Sequence, residues 1–266
     1  MNNYHPSEGK NKYGRPIEFR GIVGNQKTLR RITRCIASQS LPNLILLTGP
    51  TGCGKTTLGR IIARATLCRN KGIGEFEPCG RCSSCGIDSI HQHALFDELD
   101  SNLFCDERLI DLNHDLQNTG RVFLLDEIQE LPQRYAQALK KSVEDIAAHL
   151  ILCTTHPAQL DDALYNRLKA NEFRLTRPTE QEVVDYLTMR CQMLGVTSDS
   201  PNQLLRVARA YNLEMRPCSQ FPAKALVEAN GCITDEYLDE VFGESECQPS
   251  AVIDSAVEVP FNRPLI

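Results

Sequence analysis

The residues with the clearest chemistry form a glycine-rich run that fits the phosphate-binding pattern G-x-x-x-x-G-K-[ST] at every fixed position. Glycines let the backbone curl so that its amide hydrogens point at phosphate oxygens, and a following helix adds a partial positive charge. In such a loop Lys55 would reach the β- and γ-phosphates, and the Thr56 hydroxyl would bind Mg²⁺. The alternative is a glycine-rich turn that binds nothing. The pattern therefore predicts a nucleotide site made by Gly49, Pro50, Thr51, Gly52, Cys53, Gly54, Lys55, Thr56 and Thr57.

A pair of acidic residues forms the second half of the predicted site. Asp126 and Glu127 follow the apolar run Val122-Phe123-Leu124-Leu125. Asp126 would hold Mg²⁺ across from Thr56, and Glu127 would orient and deprotonate an attacking water. The alternative for an Asp-Glu pair is a surface turn. Downstream of a phosphate-binding loop, however, a strand that ends in this pair favours hydrolysis of a nucleoside triphosphate.

Four cysteines indicate a metal site. Cys79, Cys82 and Cys85 have C-x2-C-x2-C spacing in a turn-rich segment, and Cys68 stands at the end of the helix after the glycine-rich run. Four thiolates suit a closed, tetrahedral and structural Zn²⁺ site, in a module of about residues 68–86. An iron–sulfur cluster and inert buried thiols are the alternatives.

Two histidines follow the cysteines closely. His91 and His93 are near enough in sequence to replace a thiolate ligand, although loop or surface positions are the favoured interpretation. The chain has 12 cysteines. Because it has no signal peptide and no membrane-spanning apolar run, we expect a cytoplasmic protein, where metal binding or buried thiols are favoured over disulfides.

The charge of the chain is distributed unevenly. The formal net charge is −5, which argues against a generally basic nucleic-acid-binding surface. A local basic cluster lies near the N-terminus, and either a solvated face or a contact with DNA or nucleotide would explain it. Its members are Lys10, Lys12, Arg15, Arg20, Lys27, Arg30, Arg31 and Arg34.

The elements that must position these residues alternate between strands and helices. Short apolar runs of strand length are separated by segments with apolar residues at helical spacing, which predicts an α/β fold with a parallel sheet covered on both faces. Asn25 is a candidate cap for the first helix. The predicted strands are 44–48, 94–99, 121–125, 149–155 and 172–175, and the predicted helices are 26–39, 58–67, 106–118, 132–145 and 161–170.

The last third of the chain has a different pattern. From Pro178 onward the sequence predicts helices only, at 180–194, 201–211, about 215–229 and 234–242. We therefore expect a nucleotide-binding domain over 15–177 and a small helical lid domain over 178–243. Pro217 and Pro222 would disturb the third lid helix. Residues 1–14 and 244–266 are predicted to be flexible.

Taken together, these motifs resemble the gamma/tau-type ATPase subunits of bacterial sliding-clamp loaders, in the AAA+ superfamily. The resemblance covers about residues 15–242 and includes the four-cysteine module directly after the helix of the phosphate loop. It implies that the segment around Val23 lies against the adenine of ATP. It also implies that Thr155, in a first sensor segment, and Arg216, in a second one, contact the γ-phosphate.

The resemblance further implies a catalytic arginine that acts on a neighbouring subunit. Asn166-Arg167-Leu168 falls where the family carries Ser-Arg-Cys, so Arg167 would be the finger arginine. The alternative is a surface arginine paired with Asp161 or Asp162.

On this resemblance, the expected function is ATP-driven loading of a sliding clamp onto primed DNA by an oligomer of AAA+ subunits. The expected cofactors are ATP, Mg²⁺ and Zn²⁺. The family's third, collar-forming helical domain has no counterpart in the 266 residues. Two alternatives therefore stay open: an AAA+ ATPase that loads or remodels another DNA-bound protein, and a non-hydrolysing module held in shape by nucleotide and zinc.

Overall fold

The computed structural model describes residues 16–85 and 90–243. The predicted flexible segments 1–14 and 244–266 lie outside the described residues. No helix in the described ranges is long and apolar enough to cross a membrane.

The centre of the fold is a sheet of five parallel strands. The strands are β1 (Leu44–Thr48), β2 (Phe96–Asp100), β3 (Val122–Asp126), β4 (His149–Thr154) and β5 (Glu172–Arg174). Their order in the sheet is β2-β3-β4-β1-β5, so that β1, which leads into the phosphate loop, lies between β4 and β5. This confirms the predicted parallel sheet, and the carboxyl ends of β1 and β3 meet at one edge of it.

Successive side chains of a strand point to opposite sides of the sheet, and both faces of this sheet are buried under helices. In β1, Ile45 and Leu47 contribute to one hydrophobic cluster, whereas Leu46 contributes to the other. The first cluster is covered by α1 (Gln26–Ala37) and α2 (Lys55–Leu67). The second is covered by α3 (Asp106–Asp115), α4 (Gln133–Ser142) and α5 (Asp162–Leu168).

The prediction that Asn25 caps α1 through its side chain is wrong. Asn25 has left-handed backbone angles, with φ of 57°, and its side chain makes no cap hydrogen bond. Instead, the side-chain amide donates to the Thr176 carbonyl at 2.9 Å, and its oxygen accepts from the Thr176 N–H at 2.8 Å. The residue therefore ties the start of α1 to the segment that follows β5.

The helices of the last third pack into a cluster of their own. They are α6 (Glu180–Leu194), α7 (Pro201–Ala210), α8 (Met215–Glu228) and α9 (Asp235–Phe242). The expectation of helices only is wrong in one detail, because β6 (Thr197–Ser198) and β7 (Cys232–Ile233) form a short parallel pair.

The two prolines do not interrupt α8. Pro217 lies in the first turn, where a backbone N–H has no partner within the helix. Pro222 lies inside the helix, which nevertheless continues to Glu228, and its ring is buried. The expected disturbance is therefore absent from the described path of α8.

Candidate functional site

A cavity of about 550 Å³ opens where the sheet meets the lid helices. Its walls come from five parts of the chain: the segment before α1, the phosphate loop with α2, the end of β3, the residues after the cysteine cluster, and the lid helices α6 and α8. Among the predicted site residues that line it are Val23, Thr51, Gly52, Cys53, Gly54, Lys55, Thr56, Thr57, Asp126, Glu127 and Arg216.

The phosphate loop has the backbone shape that the sequence pattern requires. Gly49, Gly52 and Gly54 all have positive φ, at 149°, 77° and 100°. At Gly49 a Cβ atom would lie 2.4 Å from the Leu175 carbonyl oxygen, so a larger residue has no room. The loop therefore depends on glycine for space at Gly49 as well as for backbone angles.

Lys55 is folded over the loop that it follows. Only 5% of its surface is exposed, and its ammonium group donates to the carbonyl oxygens of Gly49 at 3.0 Å and Pro50 at 3.2 Å. Gly49 and Pro50 do not line the cavity, but their carbonyl oxygens hold the Lys55 ammonium group in place. The ammonium group is anchored beside the loop, within which phosphate oxygens would be bound by backbone N–H groups.

Thr56 and Asp126 meet across the cavity floor. The Thr56 hydroxyl donates to Asp126 Oδ2 at 2.7 Å, which joins the start of α2 to the end of β3. Burial, together with the nearby charge of Glu127, raises the pKa of Asp126. A hydroxyl and a carboxylate oxygen are donors of the type that Mg²⁺ takes, so the pair fits a magnesium site beside the phosphates.

Glu127 is held by a network of polar side chains. Its Oε2 atom accepts hydrogen bonds from the Gln129 amide at 2.7 Å and from the Thr155 hydroxyl at 3.0 Å. Glu127 also has a φ of 48°, which is uncommon for a residue with a side chain. Gln129 in turn accepts a hydrogen bond from the Thr154 hydroxyl at 2.5 Å.

Two features of this network differ from the sequence analysis. Thr155 lies behind Glu127 and is not a wall residue of the cavity, although the resemblance assigns it to the γ-phosphate. Gln129 was missed altogether. Besides Glu127, its partners are Thr154, at the end of the neighbouring strand β4, and Thr155, directly after it. The signal that could have found Gln129 is a polar residue two positions after a candidate base.

Arg216 reaches the cavity from the lid. It lies in the first turn of α8, and no described carboxylate forms an ion pair with it. The preceding residue, Met215, donates its backbone N–H to the Gly52 carbonyl at 3.2 Å. This hydrogen bond links α8 directly to the phosphate loop, so that the guanidinium group is presented to the same cavity.

Arg167 is not near the cavity of its own chain. It lies on α5, where its guanidinium group forms an ion pair with Glu144 and donates to the Lys140 carbonyl. The alternative of a surface arginine paired with Asp161 or Asp162 named the wrong partner, because the described ion pair of Arg167 is with Glu144, and Asp161 pairs with Lys140 Nζ at 3.0 Å. Arg167 is therefore not among the described residues that line the cavity of its own chain.

The four predicted cysteine ligands meet at one point. Their sulfur atoms all lie within 4.8 Å of one another, with S···S distances such as 3.3 Å for Cys82–Cys85 and 4.0 Å for Cys82–Cys68. A tetrahedron of sulfur atoms about 2.3 Å from a central ion has edges of about 3.8 Å, so the spacing fits one metal ion. It leaves no room for a multi-iron cluster.

Backbone N–H groups favour thiolates at two of the four cysteines. The N–H groups of Cys82 and Cys85 donate to the sulfur atoms of Cys79 and Cys82, each at 3.4 Å. Burial opposes ionisation of Cys82, but the Cys85 N–H and other hydrogen bonds to its sulfur outweigh burial and lower its pKa to about 5. Burial raises the pKa values of Cys68 and Cys85. Neither His91 nor His93 joins the cluster; His91 lies 3.6 Å from Glu98 and lines the nucleotide cavity instead.

Part of the predicted basic cluster forms a stripe on α1. Four cations at positions i, i+3, i+4 and i+7 share one helix face and border a shallow depression of about 410 Å³. Arg31 is also structural, because it donates to the Glu172 carbonyl at 2.7 Å and lies 4.3 Å from the centre of the Phe173 ring. Lys10, Lys12 and Arg15 lie outside the described residues. The stripe consists of Lys27, Arg30, Arg31 and Arg34.

Comparison with known proteins gives a family for this architecture. Residues 24–176, more than half of the chain, match the family described as DNA polymerase III, delta subunit. The chain is 24% identical over 265 aligned residues to the DNA polymerase III subunit tau of Salmonella typhimurium, which covers 94% of this chain and 39% of the relative. It is 28% identical over 181 residues to the subunit tau of Bacillus subtilis, covering 64% of this chain and 31% of the relative. The chain thus spans about two fifths or less of the length of these relatives.

The fold also matches solved structures. The RuvB Holliday junction branch migration motor of Thermotoga maritima superposes with a TM-score of 0.64 at 18% identity, over 88% of this chain and 76% of that chain. At that identity the match concerns the fold alone, and it confirms the predicted AAA+ fold. The relatives named tau likewise confirm the resemblance to gamma/tau-type subunits.

Proposed function

The chain belongs to the DNA polymerase III delta subunit family, and on that premise we propose that it is an ATP-hydrolysing, clamp-loader-like AAA+ subunit of DNA replication. Its activity would couple ATP binding and hydrolysis to loading of a sliding clamp on primed DNA. The DNA polymerase III names of the relatives support the role in replication. The chain spans about two fifths of the length of those relatives, so the proposed loading step rests on its similarity to part of them.

The observation that carries the proposal is the cavity in which the phosphate loop, the Asp126–Glu127 pair and Arg216 of the lid meet. A module that used nucleotide only to hold its shape would need no water-activating carboxylate. Glu127 borders this cavity, and two hydrogen-bond donors fix the orientation of its carboxylate. This combination favours hydrolysis over the non-hydrolysing alternative.

The reaction follows from the roles of these side chains. Backbone N–H groups of the loop and Lys55 would bind the β- and γ-phosphates, with Val23 and its neighbours beside the adenine. Mg²⁺, held by Thr56 and Asp126, would neutralise charge on the phosphate oxygens. Glu127 would accept a proton from the attacking water as the water oxygen bonds to the γ-phosphorus, while the bond from the γ-phosphorus to the β–γ bridging oxygen breaks and ADP leaves. Thr155 would hold Glu127 in place, and we propose this role in addition to the sensing role that the resemblance implies.

Two arginines would complete the site, one within the chain and one from a neighbouring subunit. Arg216 of the lid would contact the γ-phosphate in the same chain, and Arg167 would complete the site of a neighbouring subunit. Arg167 lies on the surface and away from its own cavity, which suits a role in trans. We therefore propose a homo- or hetero-oligomer of AAA+ subunits, with a sliding clamp and primed DNA as further partners.

The four cysteines would bind one Zn²⁺ as a closed structural site. A bound Zn²⁺ would cross-link the segment, and with four thiolate ligands it would have no open position for substrate. The tetrahedral sulfur spacing supports this assignment.

Steady-state ATPase assays with and without primed DNA and a sliding clamp test the proposal. We expect basal hydrolysis that rises when clamp and DNA are added together. ATP turnover that responds to DNA but not to a clamp would favour loading or remodelling of another DNA-bound protein. Binding without any turnover under all conditions would contradict the ATPase role.

A further inference from the structure

The four-cysteine module contacts one wall of the nucleotide cavity. This N-terminal wall consists of Pro16, Ile17, Gly21, Ile22 and Val23, which line the cavity ahead of α1. Between Ile17 and Gly21 the chain makes a 3₁₀ turn, Phe19–Gly21. The conformation of this turn sets where the wall lies.

The turn is capped by a residue from the module. The first N–H groups of a helical turn have no partner within it, and the preceding residue, Glu18, provides no side-chain cap. Glu77, which lies 57–58 residues away along the chain, provides the cap instead. Its two carboxylate oxygens accept hydrogen bonds from the N–H groups of Phe19 at 2.9 Å and Arg20 at 3.0 Å. The Phe76 ring also packs edge-on against Phe19, with ring centres 6.3 Å apart.

The module is joined to the cavity at its ends as well. Arg64, on α2, lines the cavity and donates to the Cys85 carbonyl at 2.6 Å. After the module, Ile90 and His91 again line the cavity. The segment that carries the cysteines therefore lies between two stretches of chain that line the cavity, and it caps the 3₁₀ turn of the N-terminal wall.

A metal ion held by the four cysteines would order the segment that carries Glu77. Glu77 stands two residues before Cys79, so the same ligand set would fix its position. Without metal, four thiols have no common partner, and burying them together contributes less to the order of the segment. The carboxylate then loses its fixed position opposite the two N–H groups.

We propose that Glu77 is a positioning residue of the nucleotide site and that metal binding at the four cysteines raises the nucleotide affinity of the cavity through it. The inference rests on the proposed nucleotide binding, and it adds a coupling between two sites that share no ligand. By linkage, nucleotide must raise metal affinity by the same factor. We expect a factor of about ten, the size of one charge-assisted hydrogen bond.

The first test measures nucleotide affinity. The full chain is loaded with Zn²⁺ and titrated with a fluorescent ATP analogue, and the metal content of each sample is determined. Glu77→Ala should weaken binding about tenfold at full metal content. The matched control is Glu75→Ala, because Glu75 is an exposed neighbour whose carboxylate accepts the Gly72 N–H within the same loop. The nucleotide affinity of this variant should stay within about twofold of wild type.

The second test measures metal affinity by competition with a chelator, with and without saturating ATP. ATP should tighten Zn²⁺ binding about tenfold in the wild-type chain and in Glu75→Ala, and have little effect in Glu77→Ala. This reciprocal measurement can be made on the wild-type chain alone, so it decides the matter even if Glu77→Ala does not fold. Wild-type Zn²⁺ affinity that is the same with and without ATP would overturn the inference.

The outcomes separate this inference from the proposed function. A wild-type chain that binds no nucleotide would overturn both. A wild-type chain that binds nucleotide, with unchanged affinity in Glu77→Ala, would overturn the coupling and leave the ATPase proposal standing.

Discussion

The side-chain amide of Gln129 donates a hydrogen bond to the Glu127 carboxylate at 2.7 Å while it accepts one from the Thr154 hydroxyl at 2.5 Å. The Thr155 hydroxyl donates to the same Glu127 oxygen at 3.0 Å. The direction of this carboxylate is therefore set by Gln129, which Thr154 at the end of β4 orients, and by Thr155, which directly follows β4, the strand next to the one that Glu127 follows.

Removal of the Gln129 amide should slow ATP hydrolysis without weakening ATP binding. Gln129→Ala takes away a donor to a charged group, which corresponds to roughly a tenfold loss in kcat, while the phosphate contacts of the loop stay intact. Steady-state kinetics would separate kcat from KM. Gln137→Ala, at an exposed position on α4, is the control and should match wild type. A loss of ATP affinity equal to the loss of kcat would contradict a positioning role.

Removal of the Glu127 carboxylate should stop turnover but leave binding. Glu127→Gln keeps the shape of the side chain and removes the base, so hydrolysis should fall about a hundredfold or more. Lys55→Ala should instead weaken ATP binding itself, because it removes the charge beside the phosphates. Equilibrium binding and single-turnover hydrolysis, measured on both variants, would separate the loss of hydrolysis from the loss of ATP binding. Wild-type turnover in Glu127→Gln would mean that another residue is the base.

The sequence predicted those parts of the site that depend on local spacing. The glycine-rich run and the Asp-Glu pair each lie within a few residues, and adjacent parallel strands bring their ends to one edge of the sheet. Gln129 was missed because only the order of the strands in the sheet brings Thr154 close to it. Glu77 was missed because it accepts a hydrogen bond from Phe19, which lies 58 residues earlier in the chain. Asn25 was misjudged for the same kind of reason: Thr176 competes for its side chain.

Purified protein should contain about one zinc per chain. The spacing of the Cys68, Cys79, Cys82 and Cys85 sulfur atoms fits a single tetrahedral ion. Elemental analysis of protein purified without chelator measures the metal directly. Cys82→Ser should lower the zinc content, whereas Cys232→Ser, at an exposed cysteine outside the cluster, should leave it unchanged. Iron with visible absorbance, or no metal at all, would count against the assignment.

Arg167 should be needed for hydrolysis in a neighbouring subunit. Arg167→Ala and Lys55→Ala proteins should each be nearly inactive, since a finger arginine contributes on the order of a thousandfold. Mixed together, they should regain activity where an intact Arg167 faces an intact phosphate loop. ATPase rates of mixtures at several ratios provide the measurement.

Glu144→Gln is the matched control for that experiment. It removes the negative charge that pairs with Arg167 within the chain but keeps the guanidinium group itself, so that this group can still reach a neighbour. If Arg167 acts in trans, Glu144→Gln should hydrolyse ATP at least as fast as wild type. If the arginine serves only to hold α5 near Glu144, both variants should lose thermal stability equally and keep their activity.

The position of β1 in the sheet also determines when this protein can acquire its nucleotide site during synthesis. Leu44 pairs with Leu150, and Leu46 pairs with Glu172, so both neighbours of β1 are made more than one hundred residues after it. Contacts so distant in sequence form slowly, because a long loop must close first. Until then β1 has two unpaired edges and a run of apolar side chains, which makes a nascent chain vulnerable to aggregation. The phosphate loop that follows β1 therefore reaches its final shape late, after the strand that ends at Arg174 has left the ribosome.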